Sequence, residues 1–175
     1  MFDIAGDGHP LQVAWTAKGS TNVFLALDRN GNGVIDNGTD LFGNFTMQPP
    51  SSNPNGFAAL AVFDGTGSGV IDSSNPIHYQ LLLWIDINHD GISQPNELFT
   101  LPQLGITSIS VNYSHAKYVD QYGNQFQDKA PVVVQHGNVS NDFTVYDVFL
   151  MAMTAPPSVS DMVLPALPFN RCSIR

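Results

Sequence analysis

Apolar and polar positions change their spacing three times along the chain. The first fifty residues hold two short apolar runs, LQVAW and NVFLAL, bounded by Gly, Ser and Asn clusters. That pattern predicts brief strands and no long helix. After the Pro-rich stretch MQPPSSNPNG (47–56), Asn53 and Pro54 supply a cap and a first helical position for FAALAVF, where Phe57, Leu60 and Ala61 share a face. Asn75 and Pro76 repeat this punctuation, and Ile77, Leu81 and Trp84 then recur at helical spacing. A second short helix is expected there, although LLLWI also suits a buried strand. LFTLPQLG (98–105) reads as one or two helical turns, limited by Pro102 and closed by Gly105.

From Ile106 the period becomes two. ITSISVNY alternates apolar and polar residues, and VDQYGNQFQ and APVVVQHGNVSNDFTVYDVFL place Gly and Asn turns between strand formers, predicting three or four antiparallel strands. Residues 151–175 hold four prolines and almost no charge, so an extended apolar tail is expected there.

Composition narrows the choice of chemistry. A chain of 175 residues with 43% hydrophobic content can bury one core. Six cations against fifteen acids give a net charge of -9, which disfavours a nucleic-acid partner. No run of apolar residues is long enough for a membrane-spanning helix. The single Cys172 excludes an internal disulfide or a thiolate zinc site. The polar opening FDIAGDG has no signal-peptide core, so export is expected by another route or from a longer precursor. Fourteen of the fifteen acids are Asp, with Asn and Gly abundant, a composition of turns and ligands rather than of helix surfaces.

DINHDGISQPNE satisfies the twelve-position calcium-loop pattern: Asp86, Asn88 and Asp90 at positions one, three and five, Gly91 at six, the Ile92 carbonyl at seven and Glu97 at twelve. DRNGNGVID repeats the order as Asp28, Asn30, Asn32, Gly33, the Val34 carbonyl and Asp36, but its closing acid, Asp40, falls at position thirteen. Either a one-residue bulge or a water must fill the gap. DGTGSGVID keeps the frame with Asp64, Thr66, Ser68, the Val70 carbonyl and Asp72, and has Asn75 at twelve; fewer charged oxygens imply weaker capture. DIAGDG offers Asp3 and Asp7 as a half-formed loop.

Any one such segment also reads as an ordinary tight turn. Three registered copies holding eight of the fifteen acids weigh against that reading, because carboxylates crowded in a loop repel unless a cation neutralises them. Oxygen donors without a Cys or a His pair favour Ca²⁺ over zinc, copper or magnesium. Two ions are expected, with up to four if the Asp64 and Asp3 loops also fill. His89, at position four, reads as a surface side chain, and the other histidines show no metal spacing.

The runs FLALDRNGNGVIDNGTDLFGN, NGFAALAVFD and LLLWIDINHDGISQPNELFTLPQLGITSISV resemble the EF-hand-like calcium module of large secreted bacterial RTX-type proteins, including iron-regulated ones, over about residues 2–113. In some of those relatives the module is self-processing and cuts a neighbouring Asp-Pro bond through the aspartate carboxyl. All twelve prolines here follow His, Gln, Pro, Asn, Leu or Ala, so the resemblance implies calcium binding and not that reaction on this chain. EF-hand loops join through an apolar residue at position eight; Ile35 and Ile71 fit, but Ser93 does not, so the Asp86 loop is expected to stand alone.

GTGSG (65–69) lacks the Lys of a phosphate loop and the spacing of a nucleophile elbow, so no catalysis is expected. Tyr113, Tyr118, Tyr122, Phe126 and Tyr146 suit a sugar- or protein-binding face, or simply cross-strand pairs. The expected architecture is α+β: one calcium-binding domain over 1–150, in which irregular EF-hand-like loops with short helices (1–105) pack beside a small antiparallel sheet (106–150), followed by the Pro-rich apolar tail 151–175. The expected function is Ca²⁺ binding that orders an extracellular or surface protein. The alternatives are a calcium-stabilised, dockerin-like module for a protein or glycan partner, and an accessory domain of a secreted enzyme.

Overall fold

The computed structural model describes residues 1–16, 20, 22–137, 139–152 and 170–174, with His136 and the last five as backbone alone. Among them nine strands run in chain order: β1 (Phe24–Ala26), β2 (Val70–Asp72), β3 (Leu82–Trp84), β4 (Leu98–Thr100), β5 (Ile106–Ser110), β6 (Ser114–Val119), β7 (Gln125–His136), β8 (Val139–Leu150) and β9 (Asn170–Ile174). Three form one antiparallel sheet, β1-β3-β4. Six form another, β2-β5-β7-β8-β9, with β6 sharing the β5 edge of β7. The architecture is therefore mostly β, which corrects the expected α+β class.

The helices shrink because other structure claims their residues. One α-helix is described, α1 (Gly56–Ala61), and its cap is Asn55 rather than Asn53: the Asn55 side chain accepts the Ala58 N–H at 2.8 Å. A side chain at Gly56 would meet the Phe42 carbonyl at 2.7 Å, so the first turn sits directly on the chain beneath it. Phe57 and Leu60 are buried as expected, but Ala61 is exposed. The second expected helix is a 3-10 turn, Pro76–Tyr79, followed by β3. Ile77, Leu81 and Trp84 are all buried, so their spacing did mark an inward face. A turn leading into a strand reaches that face as well as a helix does, because β3 finds partners on both edges. Residues 98–105 likewise divide between β4 and the 3-10 turn Pro102–Leu104, ended by Gly105 in the left-handed region at φ 71°.

The alternating region behaves as its pattern dictates. β7 and β8 are twelve residues each and pair throughout, with Val132, Val134, Val145 and Val148 buried. The register shift between Ile106 and Ser108 lets Ile106 and Ile109 both face inward three positions apart. Residues 153–169 and 175 of the expected tail lie outside the described residues, while the backbone of 170–174 pairs with β8 as β9. A single apolar cluster joins Phe24, Leu83 and Trp84 of the small sheet to Ile71, Ile109 and Val132 of the large one.

Candidate metal centre

All four Asp-Gly segments fold into one frame, counted here from the first Asp. The residue at position four is left-handed in each: Gly6, Gly31, Gly67 and His89, at φ 68°, 72°, 67° and 60°. Position six is left-handed too, at Gly8, Gly33, Gly69 and Gly91. These two reversals turn the amides of positions five and six back onto the first carboxylate. The position-five N–H reaches Asp3, Asp28, Asp64 and Asp86 at 3.2 Å in every copy. The position-six N–H reaches the other oxygen at 2.8, 2.8, 2.6 and 2.9 Å. The side chain at five, from Asp7, Asn32, Ser68 or Asp90, then accepts the N–H at seven. The Asp3 loop thus has the complete first half of the frame. Its second half departs: the Asp3 carbonyl accepts the Gly38 N–H at 2.8 Å, which seats it on the turn of the Asp28 loop.

The closing side chains also correspond. Glu97 accepts the N–H of position two, Ile87, at 2.9 Å and of position nine, Gln94, at 3.2 Å. Asp40 accepts the N–H of Arg29 at 3.5 Å and of Asp36 at 3.0 Å, the same two positions. A one-residue excursion at Asn37–Thr39 therefore brings the shorter acid from position thirteen into the place of Glu97. In the third loop Asn75 accepts the position-nine N–H, from Asp72, at 3.0 Å. The main chain closes alike as well: Leu27 N–H donates to the Asp40 carbonyl at 2.8 Å, and Ile85 N–H to that of Glu97 at 2.9 Å.

What carries these two loops is strand rather than helix. Ala26 bridges Leu41 and Trp84 pairs with Leu98, so in each loop the residue two before the first Asp lies opposite the residue after the closing acid. Each of the two loops thus sits at the end of a β-hairpin. The two loops also touch, which corrects the expectation that the Asp86 loop stands alone. Ser93 Oγ accepts the Ile35 N–H at 2.7 Å and lies 3.4 Å from the Ile35 carbonyl.

Charge is concentrated where cations are scarce. Asp40, Asp86 and Glu97 are 2–3% exposed. The His115–Asp128 contact, 2.7 Å between Nδ1 and Oδ1, lies elsewhere. Neutral donors face the Asp86 loop instead: Trp15 Nε1 donates to Asp86 Oδ2 at 2.6 Å and Trp84 Nε1 to Glu97 Oε2 at 3.3 Å. These indoles belong to an aromatic cluster with Phe2 and Phe24. Burial pushes the Asp40 carboxyl above the usual range, against the pull of the Asp36 and Arg29 amides. Burial likewise lowers the Arg29 pKa, while the Asp40 charge opposes it. That guanidinium lies over the Phe42 and Phe63 rings. Asp64 is held low chiefly by the Gly69 N–H, and Asp72 by the Ser74 hydroxyl. At Asp90 desolvation acts upward, but bonds from Ile92, Gln94 and Asn88 outweigh it and leave the carboxyl low.

The side chains at positions three, five and nine are tied to one another. Asp36 Oδ2 accepts both Asn30 Nδ2 and Asn32 Nδ2 at 2.9 Å, and Asp90 Oδ2 accepts Asn88 Nδ2 at 2.9 Å and Gln94 Nε2 at 3.0 Å. Accordingly, among the described residues no three His, Cys, Asp or Glu side chains gather closely enough to hold a metal ion. The loops present a prepared backbone and all-oxygen candidate ligands, with one oxygen of Asp36 and one of Asp90 engaged by amide partners. That donor set fits a hard divalent cation such as Ca²⁺. His89 does not add to it: its Nδ1 lies 3.0 Å from Thr16 Oγ1. Sequence reasoning missed Trp15, for which no local signal exists at a separation of 71 positions. It noticed Ser93 only as a departure from pattern.

The aromatic residues of the strand half largely satisfy one another. Tyr113 stacks on Phe57, and Tyr118 on Phe126 with Tyr146 edge-on.

The chain belongs to the SPM domain family, whose model matches residues 1–151. It is also similar to the iron-regulated protein FrpA of Neisseria meningitidis serogroup C, at 40% identity over 114 residues. That match covers 65% of this chain and 10% of the relative, so the chain spans about a tenth of the length of that protein.

Proposed function

We propose that this chain is a calcium-binding module whose loops take up Ca²⁺ and thereby order and stabilise a secreted or surface bacterial protein. The observation that supports it best is the pair of buried closing acids. Asp40 and Glu97 stand at equivalent places in two loops, each receiving the amides of positions two and nine, and neither forms an ion pair among the described residues. Burying a carboxylate is costly unless opposite charge offsets it; Asp40 has the partly desolvated Arg29 guanidinium near it, and a divalent cation would supply the remaining charge that both acids call for. The Asp28 and Asp86 loops are the two principal sites. Asp64, Thr66, Ser68, the Val70 carbonyl and Asp72 form a weaker third, and Asp3 with Asp7 the least complete.

The modest charge of these loops suits extracellular calcium, where such modules work at roughly 10⁻⁴ to 10⁻³ M. No catalytic step is needed. The FrpA likeness is compatible with a part of a much larger polypeptide, within which an ordered module sets the geometry of its neighbours. Thermal melting in millimolar CaCl₂ and in excess chelator tests the reading. An ion that binds only the native state at about 100 times its dissociation constant adds roughly 2.7 kcal/mol. A clear rise in Tm with calcium and a count of about two ions per chain is expected; identical melts in the two conditions contradict it.

A further inference from the structure

The contact at position eight has a specific consequence for how ions bind. Ser93 lies between Ile92, whose carbonyl is the position-seven ligand of its loop, and Gln94, whose N–H is held by Glu97 at 3.2 Å. Ile35 occupies the same place in the other loop, between Val34 and Asp36, whose N–H is held by Asp40 at 3.0 Å. The Ser93 hydroxyl joins these two points, accepting the Ile35 N–H and facing its carbonyl. Both residues are 3% exposed, so water is poorly placed to replace either bond. Fixing the carbonyl and closing acid of one loop therefore fixes the main chain that the other loop must order.

The third loop provides the contrast. Its position-eight residue, Ile71, lies in β2 and pairs with Ile109 of β5, so that loop is anchored to the large sheet instead of to another loop.

We propose that Ser93 is a positioning residue that couples the Asp28 and Asp86 loops, so that Ca²⁺ binds them as a cooperative pair while the Asp64 loop responds independently. This rests on the calcium-binding reading above. A serine here does through its side chain what two facing backbones do in a strand bridge, linking an N–H and a carbonyl across the interface. Coupling of this kind is reciprocal: whatever one ion contributes to the other's affinity is returned in equal measure.

The test uses Tb³⁺ as a luminescent probe alongside calorimetric Ca²⁺ titration, on the full chain. Trp15 and Trp84 lie against Asp86 and Glu97 and serve as sensitisers for the Asp86 loop. Asp28→Ala, which disables the partner loop, is expected to weaken binding at the Asp86 loop by roughly fivefold or more. In a Ser93→Ala background the same substitution is expected to cost less than about twofold, and the Hill coefficient of the pair to fall to about one. Circular dichroism establishes that each variant folds. An equal effect of Asp28→Ala in both backgrounds overturns the proposal. Should Ser93→Ala not fold, the comparison of the wild type with Asp28→Ala still decides: unchanged affinity at the Asp86 loop overturns coupling. Saturable but independent binding sinks the coupling alone, whereas the lack of any saturable signal in the wild type sinks the calcium reading with it.

Discussion

The indole N–H of Trp15 donates to Asp86 Oδ2 at 2.6 Å, joining the first acid of a loop to a side chain 71 positions earlier. The same oxygen accepts the Gly91 N–H at 2.9 Å, so two neutral donors hold it and orient the carboxylate. Trp15→Phe keeps the ring within the aromatic cluster and removes only the donor. Hydrogen bonds to charged groups contribute about 1.5–3 kcal/mol, and each kcal/mol moves Tm by roughly 2–4 °C in a chain of this size. A lower Tm together with weaker Ca²⁺ binding is expected, read by calorimetry. A variant that melts and binds like the wild type removes Trp15 from the account.

Gly33 and Gly65 separate the frame from ordinary loop flexibility. Gly33 holds φ at 84° and donates to Asp28, whereas no left-handed φ occurs at Gly65 and nothing lies within 4 Å of a side chain built there. Gly33→Ala is expected to cost about 1–2 kcal/mol through left-handed strain. Gly65→Ala is expected to be neutral or to stabilise by up to about 1 kcal/mol, because it narrows the unfolded ensemble. Chemical denaturation in chelator measures both.

Asp40 sets a pH dependence whose sign follows from its raised pKa. In calcium-free protein the native state takes up this proton before the unfolded state does. Stability attributable to Asp40 therefore increases as pH falls through its folded value and stops changing below the ordinary carboxylate value of 3.8. Asp64, Asp72 and Asp90 act the other way, since their depressed values contribute stability above the ordinary range that is lost as pH falls through the folded values. Melts of wild type and Asp40→Asn in chelator isolate the contribution of Asp40, because the other three carboxylates are common to both. The Tm difference, wild type minus variant, is expected to grow more favourable to wild type from pH 7 toward pH 4. A difference independent of pH contradicts the assignment.

The loops were legible in the sequence because their geometry is local. Left-handed backbone at positions four and six is written as glycine in seven of eight places, His89 being the eighth, and the acids and amides recur in fixed register. The strands from Ile106 onward were legible for the same reason, since alternation is a period-two signal. What the loops are mounted on was not. Ile77, Leu81 and Trp84 share an inward face in a helix and also in a turn followed by a strand, and only pairing with β1 and β4 decides between them. The join between loops escaped because a hydroxyl took a role expected of apolar residues meeting through their main chains. Asp40 shows the middle case: its displacement by one residue was visible, but its equivalence to Glu97 depends on bonds to Arg29 and Asp36.

In the function proposed above, the buried acids of the Asp28 and Asp86 loops surround a divalent cation. A crystal structure of the chain grown in millimolar CaCl₂, with anomalous scattering recorded for calcium, tests it most directly. The account predicts an anomalous peak enclosed by Asp86, Asn88, Asp90, the Ile92 carbonyl and Glu97, and a second peak enclosed by Asp28, Asn30, Asn32, the Val34 carbonyl, Asp36 and Asp40. Density for water alone within both loops contradicts it.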